Sequence, residues 1–148
     1  MALLFLLGTP GVSVEAACTT FGNNTLETVH ENTLRLFGEW GLDIPVYRGA
    51  ASKDDEPGEA ARFLAQAAAE NPGELSIVAT GSLTNLRHAA QLDPAFFSNV
   101  REIAVMGGIT ESLVINGRIM DELNFSCDPA ATLAVLSAPC PVTDATAH

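Results

Sequence analysis

The stretch Leu75-Ser76-Ile77-Val78-Ala79-Thr80-Gly81-Ser82-Leu83-Thr84-Asn85 decides the fold. Its first five residues form an apolar run of the kind found in strands of buried parallel sheets. Gly81 then turns the chain, Ser82 offers a cap, and a helical pattern continues from about Leu83 to Leu92. Asp93-Pro94 opens a further helical turn, and Val100 to Met106 is predicted as the next strand. The Thr80-Gly81-Ser82 turn also resembles a small anion cradle. One glycine is weak support for that reading, so a tight capped turn is the plainer one. A backbone oxygen directed outward at Thr80 is a candidate ligand for a hard cation.

The same alternation extends both ways. Residues 13–20 alternate like a strand, and Asn24-Thr25-Leu26-Glu27 supplies an N-cap with an acid at its third position. The helix that follows places Leu26, Val29, Thr33, Phe37 and Trp40 on one face and ends at Gly41. Ile44-Pro45-Val46-Tyr47 is a short strand, and residues 49–57 form a loop. Glu59 to Asn71 form a helix with Phe63, Leu64, Ala67 and Ala68 inward. Asp128 caps a helix that begins at Pro129 and runs to about Leu136, and Pro141 begins a last strand. Strand and helix in this rhythm predict one domain over residues 1–148, a doubly wound, mostly parallel α/β sheet with flanking helices.

Composition narrows the function. The chain has 148 residues, 47% of them hydrophobic and 17% charged, which suits a protein with a packed core. Its net charge of −11 arises from 18 acidic against 7 basic residues, and Lys53 is the only lysine. Such a surface cannot neutralise a phosphate backbone, so nucleic acid is excluded as the expected partner. Cys18, Cys127 and Cys140 lack CxxC spacing, which argues against a disulfide framework or zinc site and for a reducing cytoplasm.

The amino terminus superficially resembles a secretory or lipoprotein signal, with Met1 to Leu7 followed by Ala16-Ala17-Cys18. It lacks a positive n-region, so residues 1–7 are expected to be the tail of a buried helix. No run approaches the ~20 apolar residues of a membrane span.

Ligands of doubly wound sheets bind outside the carboxyl ends of the strands. Four segments qualify: Phe21-Gly22-Asn23-Asn24, Tyr47-Arg48-Gly49, Thr80-Gly81-Ser82 and the loop after Met106. In that last, irregular loop Asn116, Glu122 and Asn124 are two amides and a carboxylate suited to bridging vicinal hydroxyls. Of Asn23 and Asn24, one is expected to cap the helix and the other to be free for a ligand, though both could be capping. His30 and His88, both on helices, are expected at the surface or its boundary, and Asp54-Asp55-Glu56 as a solvated charge run.

Taken together, the segments Thr20 to Asn23, Asp43 to Gly49, Ala79 to Asn85, Val105 to Gly108, Glu122 to Asn124 and Asp128-Pro129 resemble the inosine–uridine-preferring nucleoside hydrolase family. The resemblance implies hydrolysis of the N-glycosidic bond of ribonucleosides, with a calcium ion binding the ribose hydroxyls and the attacking water. It makes Asn23 a ribose-hydroxyl contact, the Thr80 carbonyl a calcium ligand and Met106 a packing surface for the sugar. Asn116 and Glu122 are implied at the 5′-hydroxyl end, and Asn124 at the ring hydroxyls. The family's aspartate-rich segment, which supplies metal ligands and the general base, has no counterpart before Met1-Ala2-Leu3, and a later aspartate is expected beyond His148. The catalytic residue is therefore not assigned. The chain is expected to be an internal fragment or a degenerate copy, with activity of the chain as written doubtful, or else a non-catalytic ribose-binding module or inactive remnant. A strand lacking its neighbour implies self-association, so a homo-oligomer is expected. Purine or pyrimidine preference is not legible.

Overall fold

A computed structural model describes residues 2–146; Met1 and residues 147–148, the ends of the expected domain, lie outside the described residues. Two parallel ladders form the framework. One pairs β1 (Ala17–Cys18) with β2 (Val46–Tyr47). The other has the order β3 (Ser76–Ala79), β4 (Glu102–Met106), β7 (Val142–Ala145), both pairings parallel. The helices α2 (Leu26–Glu39), α3 (Glu59–Glu70), α4 (Thr84–Leu92), α5 (Phe96–Asn99) and α6 (Pro129–Leu136) alternate with these strands. The α/β class is as predicted, with residues 13–20 contributing a shorter strand than expected.

The core lies between the β3–β4–β7 ladder and helices α3, α4, α5 and α6. Leu64, Ala68, Leu83, Leu86, Phe96, Ile103 and Val135 form its centre. The small side chains along α3, Ala60, Ala61, Ala65 and Ala68, let α4 approach closely, and all four are buried. The opposite face of this ladder is open, leaving Val78 45% and Met106 49% exposed. The apolar run at Leu75–Ala79 therefore buries one face only, because the described residues place no layer over the other.

Asp128 anchors the helical layer. One oxygen accepts from Ala131 N at 2.9 Å, capping α6, and the other accepts from Thr84 Oγ1 at 2.8 Å and Arg87 Nη2 at 2.9 Å. Burial pushes the Asp128 carboxyl up; the Ala131 amide, the Thr84 hydroxyl and Arg87 together outweigh it and hold it below the carboxylate range. Asn85 supplies a second buried tie. Its Nδ2 donates to Thr19 O and its Oδ1 accepts from Ala50 N, both at 2.9 Å. Gly49 has to be glycine at this crossing, since a Cβ there would collide with Thr19 O and the Asn85 amide.

Several expectations are corrected. The helix α1 (Ala2–Leu7) buries none of its residues, and Phe5 is 75% exposed, because no described element packs over it. Thr25, not Asn24, caps α2, its hydroxyl accepting from Thr28 N, so the helix begins one residue later than the capping pattern predicts. Trp40 is exposed just beyond α2, while Leu26 and Phe37 carry the buried face. His88 is 1% exposed, because α4 is packed between α3 and α6. The loop after Met106 contains an antiparallel hairpin, β5 (Leu113–Ile115) with β6 (Arg118–Met120). Its Asn116-Gly117 turn has both residues at positive φ, the geometry whose twist matches the strands it joins.

Two stability measurements follow. Asn85→Ala strands two buried backbone partners and is expected to cost about 2–4 kcal/mol, read as a lowered urea midpoint at unchanged slope. Among the buried side chains, His88 and Asp128 shape the acid side. Burial, with Arg87 beside it, depresses the His88 pKa, so the unfolded chain takes up that proton first and stability falls as pH drops through about 6.5. Asp128, also depressed, contributes stability that is present above about 4 and is lost below it. Urea titrations at stepped pH should show both losses, and His88→Gln should remove only the upper one.

Candidate functional site

A groove of about 350 Å³ opens between β1 and β3 at the carboxyl ends of both strands. Its mouth is formed by Thr20 to Asn24 on one side, Thr80 to Ser82 on the other and Asn124 above. Deeper in, Val29, Leu64, Ile77 and Leu86 make the wall apolar. Two polar features stand out in it. The Thr20 hydroxyl is buried without a hydrogen-bond partner, and burial pushes the Cys18 thiol up to about 12.

Asn124 joins the two strand ends at this mouth. Its Nδ2 donates to Met106 O at 2.8 Å and more distantly to Thr80 O at 3.4 Å, so β3 and β4 are linked beyond their last ladder bond. Glu122 fixes Asn124 in turn. Its two carboxylate oxygens accept from Asn124 N and Phe125 N, each at 2.8 Å, closing the turn that precedes Asp128. The Phe125 ring packs against Gly107, where any Cβ would strike it, which accounts for a glycine directly after β4.

The expected site residues divide. Asn23, Thr80 and Asn124 line one groove; Met106 is tied to it through its carbonyl; and Glu122 stands behind Asn124 as its support. Asn116 is apart from this lining, exposed in the hairpin turn with φ 52°. Asn23 is exposed, and with Thr25 acting as the cap its side chain is not required for α2.

Sequence reasoning missed two contributors. His30, legible in sequence only as a surface or boundary residue of a helix, has its Nδ1 3.1 Å from Thr19 Oγ1, directly beyond β1. Asn85 lines the groove while holding the β1 end to the β2 loop. Neither has a local signal, because each acts on a backbone far away in sequence.

Calcium requires about six to eight oxygen ligands. Among the described residues no group of three or more His, Cys, Asp or Glu side chains converges, and the Thr80 carbonyl already accepts from Asn124. The described residues by themselves do not fit a calcium ion. What the arrangement offers is a set of amide and hydroxyl dipoles around an apolar recess, suited to a neutral polyol with a flat apolar substituent.

Comparison with known proteins agrees with this chemistry. The family model described as inosine-uridine preferring nucleoside hydrolase matches residues 1–147. A protein of Arabidopsis thaliana named "Probable uridine nucleosidase 2" is 33% identical, the alignment covering 88% of this chain and 50% of that protein. "Uridine nucleosidase 1" of the same plant is 30% identical over 97% of this chain and 51% of its own length. The solved structure of a plant nucleoside hydrolase superposes with a TM-score of 0.85 at 28% identity, covering 99% of this chain and 55% of the other. The chain thus spans about half the length of the relatives it matches.

Glu122→Ala removes both acceptors that hold the turn under Asn124. Amide hydrogen exchange at Asn124 and Phe125 should then accelerate by at least about tenfold, each lost bond being worth about 0.5–1.5 kcal/mol or more when charged. Unchanged exchange at both amides would remove Glu122 from this supporting role.

Proposed function

The chain belongs to the inosine-uridine preferring nucleoside hydrolase family, and on that premise we propose that residues 1–148 carry the ribose-binding part of a site that hydrolyses the N-glycosidic bond of ribonucleosides. The observation that carries this reading is Asn124. One carboxamide reaches the carbonyls of both Thr80 and Met106, at the mouth where Asn23 also lies. In this reading the Asn124 oxygen and the Asn23 amide meet the ring hydroxyls, and Met106, half exposed at the end of β4, packs against the sugar. Glu122 spends one lone pair of each oxygen on backbone amides and has acceptor capacity left for a hydroxyl. Asn116, at the hairpin tip, is the expected contact for the 5′ end.

Cleavage of the glycosidic bond develops positive charge on the ribose. The Glu122 carboxylate and the amide oxygens near the sugar act favourably on that charge because they are already oriented. No side chain of the chain is assigned as the base that activates water, and no step is routed through a metal. A second reading, a nucleoside-binding module without catalysis, is favoured by the absence of a converging acidic cluster among the described residues.

Two assays separate these readings. Uridine, for which the Arabidopsis relatives are named, and then inosine should perturb the amide resonances of Asn23 and Asn124 in the 148-residue chain, and Asn124→Ala should weaken binding by roughly 2–4 kcal/mol if the amide meets the ribose. Release of uracil or hypoxanthine is expected from these residues joined to the remaining length of the plant uridine nucleosidase, and not from the 148 residues alone. Binding without release from the joined, folded protein would favour the module. No perturbation by either nucleoside would overturn both.

A further inference from the structure

We propose that Asn116-Gly117, the tip of the β5–β6 hairpin, is a site of spontaneous covalent modification, at which the Asn116 side chain deamidates through a cyclic imide with water as the only co-reactant. The backbone nitrogen of Gly117 attacks Asn116 Cγ. The new C–N bond closes a succinimide ring, the Cγ–Nδ2 bond breaks, and ammonia leaves with the proton given up by the Gly117 amide. Water then adds to one of the imide carbonyls. Opening at Cγ leaves an ordinary aspartyl residue. Opening at the former Asn116 backbone carbonyl leaves an isoaspartyl residue, whose main chain runs through Cβ and Cγ. Either product replaces a neutral amide by a carboxylate.

The hairpin meets each need of this reaction. The electrophile is accessible, since Asn116 and Gly117 are both exposed. The nucleophile is free: among the described residues Gly117 N enters no backbone hydrogen bond, the ladder closing at the Ile115–Arg118 pair that flanks the turn. The approach is open, because even a Cβ at Gly117 would meet nothing within 4 Å. Ring closure requires the Asn116 backbone to turn out of the tight hairpin conformation, and little holds it there. Each strand has three residues, Val114, Ile115 and Ile119 are exposed, and an isolated two-stranded hairpin is only marginally stable in water.

The other asparagines lack this combination. Asn71 precedes Pro72, which has no amide hydrogen. After Asn85, Asn99 and Asn124 the next amide is already bonded, Leu86 N to Leu83 O, Val100 N to Phe96 O and Phe125 N to Glu122 Oε2. Asn32 lies inside α2. Asn23 and Asn24 are exposed but precede residues whose side chains crowd the attacking nitrogen. The consequence at the tip is structural. A two-residue turn at positive φ sets the register of β5 against β6, and an isoaspartyl residue lengthens that turn by one backbone atom, so the pairing is lost. On the reading of Asn116 as the contact for the 5′ end of a nucleoside, the modified chain also loses the amide donors there.

The test holds the 148-residue chain at physiological temperature and neutral pH, samples it over days and cuts it with trypsin. The peptide Glu102–Arg118 should gain the mass of an amide-to-acid change and accept methyl groups from an isoaspartyl methyltransferase. Its rate should lie within about tenfold of that of the same sequence as a free synthetic peptide, because the hairpin opens at little cost. Asn23 and Asn24 should convert several-fold more slowly, and mildly alkaline buffer should speed the reaction, since the deprotonated amide is what attacks. Gly117→Ala should slow conversion in the chain and in the free peptide alike. The peptide arm separates crowding of the nitrogen from strain in the turn, where Gly117 has φ +75°. A chain that stays unmodified at Asn116 while the free peptide converts, conversion no faster than at Asn23 and Asn24, or a rate indifferent to Gly117→Ala would overturn the proposal. None of these readouts involves a nucleoside, so they decide the modification independently of what Asn116 contacts in a ligand.

Discussion

The buried carboxamide of Asn85 is the constraint on which the arrangement of the two ladders depends. Among the described residues no strand pairing connects β1–β2 with β3–β4–β7, and Asn85, projecting from the start of α4, supplies a polar connection instead. It satisfies a carbonyl at the end of one strand and an amide in the loop after the next, with both bonds shielded from water. Buried groups of this kind are costly to leave unpaired, so the geometry is specified tightly. The absence of a side chain at Gly49 belongs to the same constraint, because only bare backbone fits beside the amide.

From that clamp the site follows. Thr19 is held at one end of the groove by Asn85 and touched by His30, while Thr80, the residue after β3, lies opposite. Asn124 spans from Thr80 to Met106, and Glu122 and Asp128, a few residues either side, hold its segment against the helical layer. Three of the carboxamides that line the groove play different parts. Asn85 is structural and fully engaged, Asn124 is engaged through its nitrogen only, and Asn23 is exposed. Free acceptors at the mouth combined with a rigid floor are what a hydroxyl-rich ligand needs, because binding then costs little ordering of the protein.

Local physics made much of the fold legible. Helix α6 begins at the residue that the Asp128-Pro129 cap signals, and α3 spans nearly the whole predicted range because its small residues repeat at helical spacing. The hairpin at residues 113–120 was equally legible, since Asn116-Gly117 between apolar residues is a short-range turn signal. The polar residues in and after it, Asn116, Glu122 and Asn124, mask that signal by breaking the apolar alternation.

The sequence by itself determined most of the element types, the parallel βα rhythm, the family and the groove neighbours Asn23, Thr80 and Asn124 in segments that follow strands. Those features rest on interactions over a few residues or on where a strand must stop. Only the tertiary structure decided that His88 is buried, that α1 is bare, that Asn85 ties residues 66 and 35 positions away, and that β1 and β3 face one another unpaired. Each of these depends on which surfaces distant segments bring together. Periodicity specifies which face of an element is apolar; what covers that face is set by contacts that no local pattern encodes.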